Sequence, residues 1–335
     1  MKKRIAVIDN QIFPCLVQAL CGRKIQTLKV QNGICMADSS PYFSHTHGTV
    51  CASLAGEFLP GMDLVGISTA EKGIIDISNV CTALQWCLGE EIAAVCLSMG
   101  VTCGLGQETL ARTTQLLAEQ GILLFCACSN DGKLTFPAAY PWTIGIAYDP
   151  NIQGVFQMDS RWGYDITVGF FQSNILDSLA RGNAFFHTRT NSLAVAFAAR
   201  QILQAGGVQH LPVLQRNLWT VDVGPAFEKW EKPVVMLRNS RKKWEQLFQQ
   251  FSQRGYWPAL LTAREATDWS KMTARVRNLG EAAALIPLLE EVGILFLDVP
   301  ESEVQVWDLE LDLSQCSAED ACCQVMKFFG EEEST

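Results

Sequence analysis

Short apolar runs alternate along this chain with longer segments in which apolar residues recur every three or four positions. The first run, Ile5-Ala6-Val7-Ile8, follows Arg4 and stops at Asp9, which predicts a buried parallel strand with the acid at its carboxyl end. Residues 44–56 predict a helix that opens near His47, stays small through Gly48, Thr49, Ala52 and Ala55, and stops at Gly56. A further strand is predicted over Leu64-Val65-Gly66-Ile67. Ile77, Val80, Cys81, Leu84 and Cys87 are spaced as one helical face, and the run from Ile92 to Leu97 predicts the next strand, leading into Ser98-Met99-Gly100. The pattern repeats with a helix over 107–119, a strand over 122–128 and the turn Ser129-Asn130-Asp131-Gly132. Such alternation predicts an α/β fold: a mostly parallel sheet covered on both faces.

Arg189-Thr190-Asn191-Ser192 leads into the apolar run Leu193 to Ala199. Ser192 is therefore expected on the first turn of a helix buried on all sides. Backbone N–H groups there have no intrahelical acceptors and carry the positive end of the helix dipole, so they would stabilise an oxyanion forming beside the serine. Most serines at helix starts are simply caps, and that reading stays open here.

Beyond residue 210 the rhythm loosens through a connector over 211–232 that contains Pro212 and Pro225. Strands are then predicted at Val234 to Leu237, Ala259 to Thr262 and Ile294 to Leu297. Helices are predicted around Trp244, Leu247, Phe248 and Phe251, over 282–291, and near Ala318 to Phe329, with one more apolar run over 304–311. The expected organisation is a domain over 1–210 and a small α/β domain over 233–335. The latter has no glycine-rich phosphate loop and no metal-ligand spacing, so no cofactor is expected.

Composition narrows the picture. The chain has 335 residues, 48% of them apolar, enough to bury a full core. A net charge of -9 argues against a nucleic-acid or anionic-membrane surface, which relies on clustered Lys and Arg. The compact basic cluster at 238–243 reads as a solvated face. The apolar run after Lys2, Lys3 and Arg4 is too short for an export signal, and no stretch approaches a membrane span. Without an export signal, the thirteen cysteines read as reduced core thiols rather than a disulfide framework, and a cytoplasmic location is expected.

Asp9 at a strand end, His47-Gly48-Thr49 opening a helix, Leu97-Ser98-Met99-Gly100, Ser129-Asn130-Asp131-Gly132 and Thr190-Asn191-Ser192-Leu193-Ala194 together resemble the subtilases, the subtilisin-like serine peptidases, over about residues 4–205. The segment from Phe136 to Ala147 also resembles the one that follows the oxyanion turn in that family, where the proline matching Pro137 often follows a cis bond. The resemblance implies a three-layer subtilisin-like fold and an Asp-His-Ser triad.

In that scheme Ser192 attacks the scissile carbonyl, and His47 takes its proton and later protonates the leaving amine. Asp9 holds the imidazole in the useful tautomer. Asn130 donates its side-chain amide to the oxyanion beside the Ser192 N–H, and Ser98, Met99 and Gly100 offer backbone groups to an extended peptide. His45, His187 and His210 read as loop or surface residues. Cys51, one helical turn after His47, is placed either to approach the site or to pack as a buried core thiol, and the second reading is preferred.

The chain departs from the family at Asn10-Gln11, at Thr190-Asn191 and at Ala196-Phe197. Glu57 and Asp63 are too few carboxylates for the calcium site of secreted relatives, and no metal is expected. Asp9 lies eight residues from Met1, so the chain is expected to fold without the propeptide of those relatives. Two function classes follow: a serine endopeptidase acting on a peptide or protein precursor, or an idle subtilase-like binding protein. In the first, the carboxy-terminal domain would recognise the precursor or merely stabilise its neighbour.

Overall fold

The computed structural model describes residues 4–38, 46–57, 61–71, 74–102, 107–152, 156–158, 163–182, 188–206, 232–239, 243–264, 272–276, 282, 285–286, 289, 292–299 and 307–330. The chain divides into two compact units: Met1–Val101 with Leu105–Thr220, and Thr102–Gly104 with Val221–Thr335. The connector expected over 211–232 lies outside the described residues except for Lys232, as do His45, His187 and His210.

The larger unit contains, in order, β1 (Arg4–Asp9), α1 (Pro14–Cys21), β2 (Ile25–Gln31), β3 (Ile34–Ala37), α2 (His47–Gly56), β4 (Asp63–Ser68), β5 (Ala70–Glu71), β6 (Ile74–Ile75), α3 (Ile77–Leu88) and β7 (Ile92–Leu97). It continues with α4 (Gln107–Glu119), β8 (Leu123–Ala127), β9 (Ile144–Tyr148), β10 (Phe156–Met158), β11 (Ile166–Val168), α5 (Asn174–Arg181) and α6 (Asn191–Gln204). Nine strands form one sheet in the order β10-β11-β9-β8-β7-β1-β4-β2-β3, parallel except for β3 and β10 at its two edges.

Strand β1 sits centrally between β4 and β7, and the sheet grows from it in both directions. That is the switch point of an open parallel sheet, where the carboxyl ends of the strands leave a crevice. Ile5, Ala6, Val7 and Ile8 are all fully buried, as a strand covered on both faces must be. Ile5 and Val7 enter the core shared with α2 and α6. Ala6 and Ile8 face the opposite side, where α3 and α4 pack against the strands and each other. Asp9 follows directly, so the sheet delivers a carboxylate to the crevice.

One expectation is corrected. Gly56 does not stop α2; it is the last helical residue, and Glu57 is the cap in an extended conformation. A Cβ there would sit 2.5 Å from Leu64 Cδ1, so the glycine lets Leu64 pack against the helix end without shifting. The bond between Phe136 and Pro137 is cis.

The smaller unit is an all-parallel five-stranded sheet with helices. It comprises β12 (Val234–Arg238), α7 (Lys243–Gln253), β13 (Pro258–Thr262), β14 (Thr273–Arg275), β15 (Ile294–Asp298), β16 (Leu309–Asp312) and α8 (Ala318–Phe328), with strand order β14-β13-β15-β12-β16. Trp244, Leu247, Phe248 and Phe251 of α7 join Phe296 of β15 in its core, as their helical spacing predicts. Most of the helix expected over 282–291 lies outside the described residues. No described helix is long and apolar enough to cross a membrane.

Candidate active site

His47 is the first residue of α2, and its position is set by how that helix begins. The Thr46 hydroxyl caps the helix by accepting from the Thr49 N–H at 3.3 Å and donates to the Gln11 carbonyl at 2.6 Å. Asn10 Oδ1 accepts from the Gly48 N–H at 3.0 Å and the Gln11 N–H at 2.5 Å. The unusual Asn10-Gln11 pair thus anchors the helix start to the loop after β1. Gly48 allows the approach: a Cβ there would lie 2.7 Å from the Gln11 carbonyl oxygen and 2.9 Å from Asp9 Cβ.

Ser192 is the second residue of α6, whose cap Thr190 accepts from the Leu193 N–H. The structure brings Asp9, His47 and Ser192 together. His47 Nδ1 lies 2.8 Å from Asp9 Oδ2, and His47 Nε2 lies 2.8 Å from Ser192 Oγ. Asp9 is almost fully buried; its Oδ1 accepts from the Asn10 N–H at 2.6 Å and its Oδ2 from the Ser98 hydroxyl. Burial works to lower the His47 pKa, but the Asp9 hydrogen bond and charge together outweigh it, and the net shift is upward. An imidazole held this way, with one nitrogen on a carboxylate and the other on a hydroxyl, is set to accept a proton from that hydroxyl.

Asn130 lies in the exposed turn after β8, and its Oδ1 accepts weakly from the Asn191 N–H at 3.4 Å. Its Nδ2 has no partner among the described residues, and neither has the Ser192 N–H. Both donors are therefore available to an anion. Sequence reasoning passed over Asn191 itself, whose buried side chain holds Tyr148, Cys128 and Ser129. The only signal was its place where the family commonly has threonine.

Ser98, Met99 and Gly100 lie just past the end of β7, beyond the last ladder pair of Leu97 with Cys126. Ser98 has a role that sequence reasoning did not assign, since its side chain touches Asp9 rather than leaving only its backbone to act. Met99 and Gly100 line an apolar cavity of about 170 Å³ with Ile77, Val80, Leu110 and Phe136. Val101 and Phe136, which also line that cavity, exchange backbone hydrogen bonds at 2.9 and 2.7 Å.

Asp9, His47 and Cys51 each bring one potential metal-ligand atom within 4.8 Å of the others. Both His47 nitrogens are already directed at protein partners. Cys51 Sγ lies 3.7 and 3.9 Å from the two of them, further than either of those partners. Burial, followed by the Asp9 charge, pushes the Cys51 thiol well above its ordinary pKa. Glu57 is a partner of Arg200 at 2.6 Å and of the Ser173 hydroxyl at 3.1 Å, so its carboxylate is committed within the core. No disulfide forms among the twelve described cysteines.

Acid at the end of the central strand, imidazole and hydroxyl at the starts of two adjoining buried helices, in that chain order, are the arrangement that the subtilase resemblance implies. The larger unit is an α/β fold whose mostly parallel nine-stranded sheet carries helices on both faces. No family model and no curated protein matches the chain. Solved structures do. A lanthipeptide protease aligns at a TM-score of 0.47 and 13% identity, over 60% of this chain and 71% of its own. A cold adapted subtilisin-like serine proteinase aligns at 0.46 and 16%, over 64% and 78%. The prenylagaramide maturation protease PagA aligns at 0.40 and 14%, over 87% and 95%. Similarity this distant carries no functional weight, which rests on the geometry above.

Proposed function

We propose that this chain is a serine endopeptidase that matures a specific peptide or protein precursor. The observation that carries the reading is the pair of 2.8 Å contacts that link Asp9, His47 and Ser192 in one line. As a peptide carbonyl approaches, Ser192 Oγ attacks its carbon while His47 Nε2 takes the hydroxyl proton. Asp9 stabilises the resulting imidazolium, and the negative oxygen is received by the Ser192 N–H and Asn130 Nδ2. The intermediate collapses as His47 returns its proton to the leaving amine. Water, activated by the same imidazole, then releases the acyl group from Ser192.

The peptide would run along Ser98–Gly100 and place an apolar side chain in the cavity beside Met99. Restriction to a precursor fits a peptidase acting in the cytoplasm, where broad cleavage would be harmful; the smaller unit would contribute by binding part of that precursor. A fluorophosphonate, which needs an activated nucleophile such as this serine, tests the reading directly. Labelling is expected in the unaltered chain and absent in Ser192→Ala. No labelling, or labelling that survives the substitution, would end the proposal. Mass spectrometry of a proteome-derived peptide library should then show cleavage at a narrow set of sequences.

A further inference from the structure

We propose that Asn191 is the positioning residue that ties the oxyanion-binding turn to the nucleophile, a role that rests on the peptidase reading above. Asn191 opens α6, immediately before Ser192, and is only 7% exposed. Its Oδ1 accepts from the Tyr148 N–H at 2.7 Å, at the end of β9. Its Nδ2 donates to the Ser129 carbonyl at 2.7 Å and the Cys128 carbonyl at 3.1 Å, the two residues ahead of Asn130. Its backbone N–H donates to Asn130 Oδ1 at 3.4 Å.

One residue thus joins the end of β9, the approach to Asn130, Asn130 itself and the nucleophile. The need for it follows from exposure. Asn130 stands in a solvent-facing turn, and an oxyanion donor works only when aimed within a few tenths of an ångström. Holding the two preceding carbonyls fixes where the turn sits. Engaging Asn130 Oδ1 fixes which end of its amide faces the substrate, leaving Nδ2 as the donor. A side-chain amide supplies one acceptor and two donors without charge. Threonine, commonest here in the family, offers a single hydroxyl and could not serve Tyr148, Cys128 and Ser129 together.

The test is the second-order rate of fluorophosphonate labelling for the full chain and for Ser192→Ala, Asn130→Ala, Asn191→Ala, Asn191→Ser and the double variant Asn130→Ala/Asn191→Ala, each with a thermal melt. Asn130→Ala is expected to slow labelling by roughly 10²-fold or more. Asn191→Ala and the milder Asn191→Ser should each slow it by about 10- to 100-fold, the cost of a misplaced group. If Asn191 acts through Asn130, the double variant falls no more than about threefold below Asn130→Ala alone. A purely architectural residue would instead multiply the two losses. Should Asn191→Ala fail to fold, Asn191→Ser carries the same comparison in a double variant with Asn130→Ala. Multiplied losses, or full rates in both Asn191 variants, overturn the role while leaving the peptidase reading intact. Labelling that does not depend on Ser192 overturns both.

Discussion

His47 Nε2 and Ser192 Oγ stand 2.8 Å apart although 145 positions separate them in the sequence. The contact exists because α2 and α6 begin side by side at the crevice beyond β1. On the other side of the ring, Asp9 raises the His47 pKa above its ordinary 6.5 despite burial. Two opposite pH dependences follow. The base must be neutral to act, so the acid limb of the labelling or hydrolysis profile is expected above pH 6.5. The stability contributed by the charged pair runs the other way: fully present below pH 6.5, and lost as pH rises through the raised value. Asp9→Asn should lower turnover by roughly 10⁴ and move the acid limb down, which a pH series on both forms would read. An acid limb that does not move contradicts this account of the imidazole.

Gly48→Ala tests the close approach of α2 to the loop after β1. The added methyl would meet the Gln11 carbonyl and Asp9 Cβ at under 3 Å, so the helix start must shift and carry His47 with it. Turnover is expected to fall by about 10²-fold, since misplacing a reacting group by an ångström costs that much. Steady-state kinetics at matched folded fraction would check it. An unchanged rate would mean that the loop yields instead.

The buried pair of Glu57 and Arg200 gives a stability prediction. Arg200 Nη1 lies 2.6 Å from Glu57 Oε2, both side chains are buried, and the Arg200 guanidinium lies over the Phe197 ring. Arg200→Ala would strand the carboxylate in the core and is expected to cost about 3–5 kcal/mol in urea unfolding. Replacing both, as Glu57→Leu with Arg200→Met, should recover most of that loss. A double variant no more stable than the single one would argue against the pair as its origin.

Thiol reactivity should separate two cysteines cleanly. Cys15 is exposed, whereas Cys51 is buried with its thiol pushed well up in pKa, and only the thiolate alkylates. Iodoacetamide at neutral pH is expected to modify Cys15 in the folded chain and Cys51 only after denaturation, as peptide mass mapping would show. Rapid loss of Ser192 labelling on alkylation, traced to Cys51, would contradict its burial.

Much of the architecture was legible because its central elements carry strong patterns. The β1 run is buried on both faces and reads as unbroken apolar sequence, α3, α4 and α7 keep helical spacing, and α6 is a longer apolar run buried on all sides. Most of the elements that went unread lack such patterns; α5 is the exception, with Ile175, Leu176 and Leu179 buried at helical spacing behind the Ser173 cap. The hairpin of β2 and β3 lies at a sheet edge, with Ile34 62% exposed, so its alternation is diluted. Helix α1 opens with Pro14 and buries only Val17, while β14 is three residues long.

At the site, Asp9, His47 and Ser192 could be nominated from residue type and setting. The contacts of Ser98 with Asp9 and of Asn191 with the oxyanion turn could not. They depend on where separate strand ends converge, which no local pattern encodes. The departures at Asn10 and Asn191 were visible as oddities, yet only the fold shows that each amide serves as a fastening.

Helices α2 and α6 are fastened twice, by imidazole and hydroxyl at their starts and by carboxylate and guanidinium further along. A bracket clamped at two points has little play. In the proposed reaction, imidazole and hydroxyl are therefore aligned before a peptide arrives, and binding need not trigger a closing movement to assemble them.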